Sequence, residues 1–176
     1  MNRILMFAIL VLISGMYGSA NELPPEYAPF KKLIGTWKGD STLVISSAEG
    51  DKKVVFEHTS EYKYDNERKA ITGVDTDIDP KSGITMVFHS ETRWDKPSSS
   101  FKAFVWLTGH MANFYSIKYK DRVFYYDKVE KVEGTQFTAQ ISIDKNGDLI
   151  QKGKQITSGP NGQTTTWNNK YLKEKS

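Results

Sequence analysis

The sequence predicts an all-β protein: an antiparallel up-and-down meander of about ten strands that closes into a barrel, with one short N-terminal helix. From Thr36 onward, apolar and polar residues alternate with a period of two, which is typical of half-buried strands. Turn residues such as Asp-Pro and Asn-Gly recur about every ten residues between these segments. No segment has the length and period of a helical crossover, so a parallel α/β sheet is not expected.

The short helix and the strands can be placed along the chain. Phe30, Leu33 and Ile34 share one face of a helix predicted over Tyr27–Ile34, which Gly35 ends. The strands are predicted, in chain order, over Trp37–Ile45, Val54–Tyr64, Lys69–Ile78, Ile84–Trp94, Phe101–Thr108, Ala112–Tyr119, Arg122–Val129, Thr135–Ile143, Asp148–Thr157 and Thr164–Leu172.

The composition fits one folded domain that needs no disulfide. The chain has 176 residues, no cysteine, 12% aromatic residues and a net charge of +3. A chain of this length can bury a core, and its aromatic content argues against disorder. The small net charge argues against a nucleic-acid partner. The lack of cysteine excludes thiol nucleophiles and thiolate zinc sites.

Residues 1–20 are predicted to be a signal peptide. Arg3 supplies a positive charge, residues 4–13 form an apolar run, and Gly18-Ser19-Ala20 provides small residues for cleavage. The apolar run is too short to cross a bilayer, although an uncleaved membrane anchor is the alternative. We therefore expect an exported protein, periplasmic or secreted after cleavage near Ala20, with no stable membrane anchor. Residues 21–176 would form a single domain.

The alternation predicts which side chains face the barrel interior. In the second predicted strand, the residues from Val54 to Tyr64 at even positions form the inward set, and Glu57 and Glu61 face outward. Closure into a barrel removes unpaired strand edges. The inward set mixes large aromatic residues with small polar ones such as Ser41 and Ser60, which favours a lined cavity over a solid core.

Three motifs resemble those of a known family. Phe30-Lys-Lys-Leu-Ile-Gly-Thr-Trp-Lys-Gly39 resembles the opening of calycin-type barrels, in which Gly-x-Trp begins the first strand. Together with Tyr62-Lys-Tyr-Asp-Asn-Glu-Arg-Lys-Ala-Ile-Thr-Gly73 and Thr166-Trp-Asn-Asn-Lys-Tyr-Leu172, it resembles the lipocalin-like DUF1579 group of small bacterial proteins. The resemblance implies a calycin-like β-barrel.

The chain departs from standard lipocalins, which carry a late-strand arginine stacked on the first-strand tryptophan. Here the last arginine is Arg122, and only lysines follow it. The ligands and receptors of standard lipocalins are therefore not expected. We expect Trp37 to close one end of the barrel, a direct contact with ligand being the alternative.

The predicted function is non-enzymatic binding of a small hydrophobic or amphipathic molecule inside the barrel. Apolar side chains would take up the ligand, and His58, Ser60 and Tyr62 would orient it. The predicted lining residues are Trp37, Leu43, Phe56, His58, Ser60, Tyr62, Met86, Phe88, Val105, Phe137 and Ile141.

His58 allows two interpretations. We favour a core histidine paired with a neighbouring hydroxyl. The minority alternative is a haem ligand. His58 is predicted on an inward strand face, and this position resembles that of the histidine that holds haem iron in nitrobindin-type barrels. His89 is predicted to face outward and His110 to lie in a loop, so no second histidine completes a zinc site. We expect no metal and no other cofactor.

The acidic residues give no positive sign of catalysis. Asp75, Asp77 and Asp79 approach the spacing of a calcium loop, but Pro80 and Met86 stand where that loop needs glycine and glutamate. We expect these aspartates on an exposed strand face and its turn. The interior would then hold few acids, and no nucleophile elbow is present. The enzymatic alternative is a small isomerase or cyclase that uses barrel tyrosines.

The alternative from another class is a structural protein with a packed barrel. The strand Phe101–Thr108 is apolar on both faces, with Phe104 and Trp106 predicted to face outward. Such a strand is either covered from outside or forms a contact surface. A homodimer through this strand is the expected form of self-association.

Overall fold

The computed structural model describes residues 23–108, 112–129, 134–159 and 162–175. The predicted signal peptide and His110 lie outside these ranges. A 3-10 helix spans Pro25–Lys32, and ten strands follow in chain order. They are β1 (Gly35–Ser47), β2 (Gly50–Asp65), β3 (Ala70–Ile78), β4 (Thr85–Asp95), β5 (Ser100–Leu107), β6 (Ala112–Lys120), β7 (Val123–Lys128), β8 (Thr135–Ile143), β9 (Leu149–Thr157) and β10 (Gln163–Lys173).

The ten strands form one closed antiparallel barrel. Each strand pairs with the next in sequence, and β10 returns to pair with β1 through partners such as Leu43 and Trp167. The predicted all-β meander, its closure and its strand number are therefore confirmed. β2 begins earlier than predicted because the tight turn after Ser47 pairs that residue with Gly50. The polar residues of β2 that follow, such as Asp51, stay in the ladder since backbone pairing does not require apolar side chains.

The short N-terminal helix covers one end of the barrel. Phe30 is buried, and its ring centroid lies 4.8 Å from that of Phe101 and 4.5 Å from that of Phe124. The Tyr27 hydroxyl donates to the Lys69 carbonyl at 2.6 Å and accepts the Trp94 backbone N–H at 3.0 Å. These contacts fix the helix to two hairpin ends.

The helix differs from the prediction in type and limits. It is a 3-10 helix over Pro25–Lys32 rather than a helix over Tyr27–Ile34. Pro29 lies inside it and has no backbone N–H, so it removes one hydrogen bond from a regular α-helix. Pro25 stands in the first turn, where proline is well tolerated, and this extends the helix toward the N-terminus.

Trp37 of β1 packs against the end of this helix and closes the same end of the barrel. Its side chain is 1% exposed, and its indole Nε1 donates to the Leu33 carbonyl at 2.8 Å. The ammonium of Lys173, its partner in β10, lies 5.2 Å from the ring centroid. A lysine thus faces this tryptophan where standard lipocalins use an arginine.

The outer surface of the barrel carries an aromatic patch on β4, β5 and β6. Phe104 is 36% exposed and Phe114 is 45% exposed, and their ring centroids lie 4.8 Å apart. Trp106 packs on Phe104 at 5.1 Å and on His89 at 5.4 Å. The inner face of β5 is also apolar, with Phe101 buried, so the two-sided apolar character of this strand is confirmed.

Within the described ranges, no helix has both the length and the apolar character needed to cross a membrane.

Candidate functional site

A cavity of about 430 Å³ lies inside the barrel. The exposed residue Gln155 is part of its wall, so the cavity reaches the protein surface there. Its wall combines aromatic, aliphatic, amide and acidic side chains from most of the strands. The lining side chains include Ser41, Leu43, His58, Asp75, Asp77, Phe88, Val105, Tyr115, Tyr126, Phe137, Ile141, Trp167, Asn169 and Tyr171.

The predicted lining residues fall into three groups. Those that line the main cavity are Leu43, His58, Phe88, Val105, Phe137 and Ile141. Tyr62 lines a second cavity of about 130 Å³ on the helix side, together with Phe30 and Leu33. The four that line neither cavity are Trp37, Phe56, Ser60 and Met86.

These four residues have other places in the barrel. Trp37 is part of the closed end, and Ser60 is fully buried with its hydroxyl bonded to His58. Phe56 and Met86 are half-buried in β2 and β4. The direct ligand contact considered for Trp37 has no support from this geometry.

The expectation that Asp75 and Asp77 lie on an exposed strand face is wrong. In the β2–β3 hairpin, Asp77 stands opposite His58 and Asp75 stands opposite Ser60, so both carboxylates point into the barrel. Their side chains are 20% and 16% exposed, respectively. The interior therefore holds two acids where the sequence predicted few.

The physical reason is the orientation of β3. Alternation separates its residues into two sets but does not say which set faces inward. With the aspartates facing outward, Val74 and Ile78 would face inward, yet both are 37% exposed on the outside. The turn before Ala70 sets the register that decides the inward set. Asp65 pairs with Ala70, and each further pair lies one residue back along β2 and one residue forward along β3, so Asp77 stands opposite His58.

His58 is held by the two acids and a serine. Its Nδ1 lies 2.7 Å from Asp77 Oδ1, its Nε2 lies 2.6 Å from Ser60 Oγ, and Asp75 Oδ1 lies 3.8 Å from Nε2. The ring also stacks on Tyr171, with centroids 4.3 Å apart. The preferred interpretation, a core histidine with a hydroxyl partner, describes this geometry.

The residues at His58 do not fit haem. An iron ligand needs a free ring nitrogen, and both nitrogens of His58 already have partners at hydrogen-bond distance. The ring is also only 6% exposed and stacked on Tyr171. In the described part of the chain, no three acidic or histidine side chains are grouped as metal ligands.

Ser60, His58 and Asp77 are connected as in a hydrolase triad, but the serine is not accessible to a substrate. Ser60 is 0% exposed and lines neither cavity, so its hydroxyl does not reach a bound molecule. The three residues therefore form a structural network, and it orients the carboxylates that do line the cavity.

Asp75 is the centre of a group of tyrosines. The Tyr62 hydroxyl donates to Asp75 Oδ1 at 2.9 Å. Burial raises the pKa of Asp75, since a charged carboxylate is poorly solvated there. Burial and the Asp75 charge also raise the pKa of Tyr62 and of Tyr126, so both phenols keep their protons.

On the other side of His58, β1 and β10 contribute polar groups. Asn169 Nδ2 donates to Ser41 Oγ at 3.1 Å, and its Oδ1 accepts the Thr42 backbone N–H at 2.9 Å. Tyr171 is 0% exposed, and its hydroxyl lies near Ser41 and Asn169 without a hydrogen bond of good geometry to any described residue. Burial raises the pKa of Tyr171 to about 12.

The opposite wall is aromatic. The Phe137 ring centroid lies 5.1 Å from that of Tyr115 and 5.9 Å from that of Trp167. β8, which carries Phe137, lies five strands from β3 in the closed ring of ten. The acidic and aromatic walls therefore face each other, and the cavity is amphipathic.

The sequence prediction missed the acidic pair and most of the aromatic wall. Tyr115, Tyr126, Trp167 and Tyr171 line the cavity without having been predicted to do so. Strand register would have identified Trp167, because it pairs with Leu43, which was predicted to face inward. Side chains of directly opposed residues lie on the same face of a sheet.

No family model matches this chain, and no curated protein matches it. A solved structure with a similar fold is the S-type phycobiliprotein lyase CPES from Guillardia theta, at 12% sequence identity and a TM-score of 0.56. The match covers 84% of this chain and 91% of that chain. At this identity the similarity shows the fold alone, a calycin-like barrel, and membership of the DUF1579 group stays a prediction.

Proposed function

We propose that this barrel binds a small amphipathic molecule without catalysing a reaction. The cavity of about 430 Å³ between an acidic and an aromatic wall carries the proposal. Ligand pockets are mostly apolar, with a few polar groups that fix orientation. Phe88, Val105 and Phe137 provide the apolar surface, and Asp75 and Asp77 provide the polar groups.

The proposal includes export. The apolar run of residues 4–13 and the small residues before Asn21 favour a cleaved signal peptide and a periplasmic or secreted protein. Mass spectrometry of the mature N-terminus after expression in a bacterial host tests this part. A chain that begins at Asn21 in the periplasm or medium supports export, and an intact N-terminus in the cytoplasmic fraction contradicts it.

The binding test uses a matched pair of filling variants. Ala139 of β8 lines the cavity, whereas its neighbour Thr138 is exposed on the outer face. We expect Ala139→Phe to weaken binding of a neutral hydrophobic dye at least about tenfold, because the added ring occupies the cavity. Thr138→Phe adds the same ring outside and leaves the affinity unchanged. Dye binding that is equal in both variants and the parent protein would place the dye elsewhere and contradict the proposal.

The aromatic patch on the outer surface supports a second candidate, self-association through β5. Phe104 and Phe114 expose adjacent rings, the half-buried Trp106 packs on Phe104, and exposed apolar patches mark contact surfaces. Sedimentation of the mature protein tests it. A dimer that Trp106→Asp abolishes and Leu172→Asp leaves intact supports this candidate, since Leu172 is an exposed apolar residue away from the patch. A monomer at all concentrations contradicts it.

A further inference from the structure

We infer that the molecule bound in this cavity is an organic cation: an amine whose protonated nitrogen lies between Asp75 and Asp77 while its apolar body packs on the aromatic wall. The inference rests on the proposed function, because it specifies the ligand class of the same cavity. It follows from three observations: the charge of the wall, a buried hydroxyl without a hydrogen bond of good geometry, and the aromatic faces.

The first observation is a shortage of positive charge. Among the described residues that line the cavity, Asp75 and Asp77 are the acids, and none is a lysine or arginine. His58 is the basic group, and its two nitrogens are already shared with Asp77 and Ser60. Two largely buried carboxylates beside a single imidazole leave unbalanced negative charge. An ammonium group supplies both a positive charge and several N–H donors at this point.

The second observation is the hydroxyl of Tyr171. The residue is fully buried, lines the cavity and stacks on His58, yet its hydroxyl forms no hydrogen bond of good geometry in the described part of the chain, although Ser41 and Asn169 lie near it. Leaving a buried polar atom unpaired is costly, so such an atom indicates a missing partner. The polar side chains near this hydroxyl are Ser41 and Asn169, and its oxygen has lone pairs that can accept an N–H from a cationic ligand in the cavity.

The third observation is the aromatic wall. Tyr115, Phe137 and Trp167 pack in sequence across β6, β8 and β10. A ligand whose cation lies at the carboxylates can pack its apolar body on these ring faces across the cavity. An anionic ligand of the same shape would meet two carboxylates and no lysine or arginine among the described lining residues, so the site disfavours fatty-acid-like anions.

The test compares ligands that share one apolar chain and differ in the head group. Decylamine, decanol and decanoate are titrated into the mature protein by calorimetry at neutral pH, below their aggregation concentrations. We expect decylamine to bind at least about tenfold more tightly than decanol, and decanoate to bind most weakly. If decanol or decanoate binds as tightly as decylamine, the cationic inference is overturned and the proposed function stands. If none of the three binds, both are overturned.

Variants then locate the cation. Asp75→Asn keeps an oxygen that accepts the Tyr62 hydroxyl but removes the charge, so decylamine should lose at least about tenfold in affinity while decanol is unaffected. Asp77→Asn should act in the same direction, and it serves as the second variant should the first fail to fold. Glu57→Gln, on the exposed outer face of the same hairpin, controls for net charge and should leave all three affinities unchanged. Decylamine affinity that is unchanged in both aspartate variants overturns the inference.

Discussion

Trp167 in β10 covers Gly153, its cross-strand partner in β9, so closely that a Cβ at position 153 would overlap the indole ring. Glycine is therefore required at this position by space rather than by backbone conformation. The missing side chain lets the indole lie against the β9 backbone, where it faces Phe137 and forms part of the aromatic wall.

Gly153→Ala should displace the Trp167 ring and destabilise the protein by about 1 to 3 kcal/mol, which is the usual cost of overpacking. Urea unfolding measures the loss, and the position of the Trp fluorescence maximum reports the movement of the ring. The same substitution in a Trp167→Ala background should cost less, because the overlapping ring is gone. An equal cost in the two backgrounds would show that Trp167 is not the residue in conflict.

The fold could be predicted because it depends on local signals that repeat. Turn sequences such as Asp144-Lys-Asn-Gly147 and the two-residue alternation mark each hairpin. A meander of successive hairpins has an unpaired strand at each end, and closure into a barrel pairs these two edge strands. The type of the N-terminal helix depended on where Pro29 fell within a single turn, which alternation does not address.

The site was predicted less well because its chemistry depends on register between strands. His58 was placed correctly since its own strand has a clear apolar face. Asp75 and Asp77 were placed on the wrong side because burying carboxylates is costly and apolar neighbours compete for the inward face. The cost is offset by partners from other strands, namely His58 and Tyr62, which no single-strand pattern reveals.

The His58–Asp77 contact should be a strong coupling. Because the side chains are 5% and 16% exposed and lie 2.7 Å apart, the pair is shielded from water. A double-mutant cycle with His58→Gln and Asp77→Asn should give a coupling energy of about 1 to 3 kcal/mol in urea unfolding. The exposed pair Lys38–Glu174, with side chains 54% and 50% exposed and a contact of 2.6 Å, is the control and should couple by less than about 1 kcal/mol. Equal couplings for the two pairs would contradict the shielding argument.

Trp37 should matter for stability and not for binding. Trp37→Phe removes the hydrogen bond to the Leu33 carbonyl within the closed end and should destabilise the protein by about 1 to 3 kcal/mol. Because Trp37 lines neither cavity, the affinity for a neutral hydrophobic dye should change by less than about twofold. Phe137→Leu is the matched comparison. Because Phe137 lines the main cavity, the dye affinity of this variant should fall. A large loss of affinity in Trp37→Phe with little change in stability would support a direct role in ligand contact.

The raised pKa of Asp75 makes the stability difference between the parent protein and Asp75→Asn depend on pH. In the unfolded chain an aspartate titrates near pH 3.9, whereas burial in the barrel favours the neutral form and raises the pKa of Asp75. For an acid with a raised pKa in the folded state, the unfolded state releases its proton first. The folded state is therefore relatively stable below the unfolded pKa, and it loses stability as the pH rises through the folded pKa.

Asparagine at position 75 does not titrate. The free energy of unfolding of Asp75→Asn should therefore be closest to that of the parent protein near pH 4, and it should rise relative to the parent value as the pH rises toward about 7. Urea midpoints of the two proteins across this range measure the difference. Tyr62 and Tyr126 contribute nothing to the difference, because their raised pKa values keep both phenols protonated over this range. A parent protein that gains stability over Asp75→Asn with rising pH would mean that the folded barrel favours the charged carboxylate, so its pKa would be lowered rather than raised.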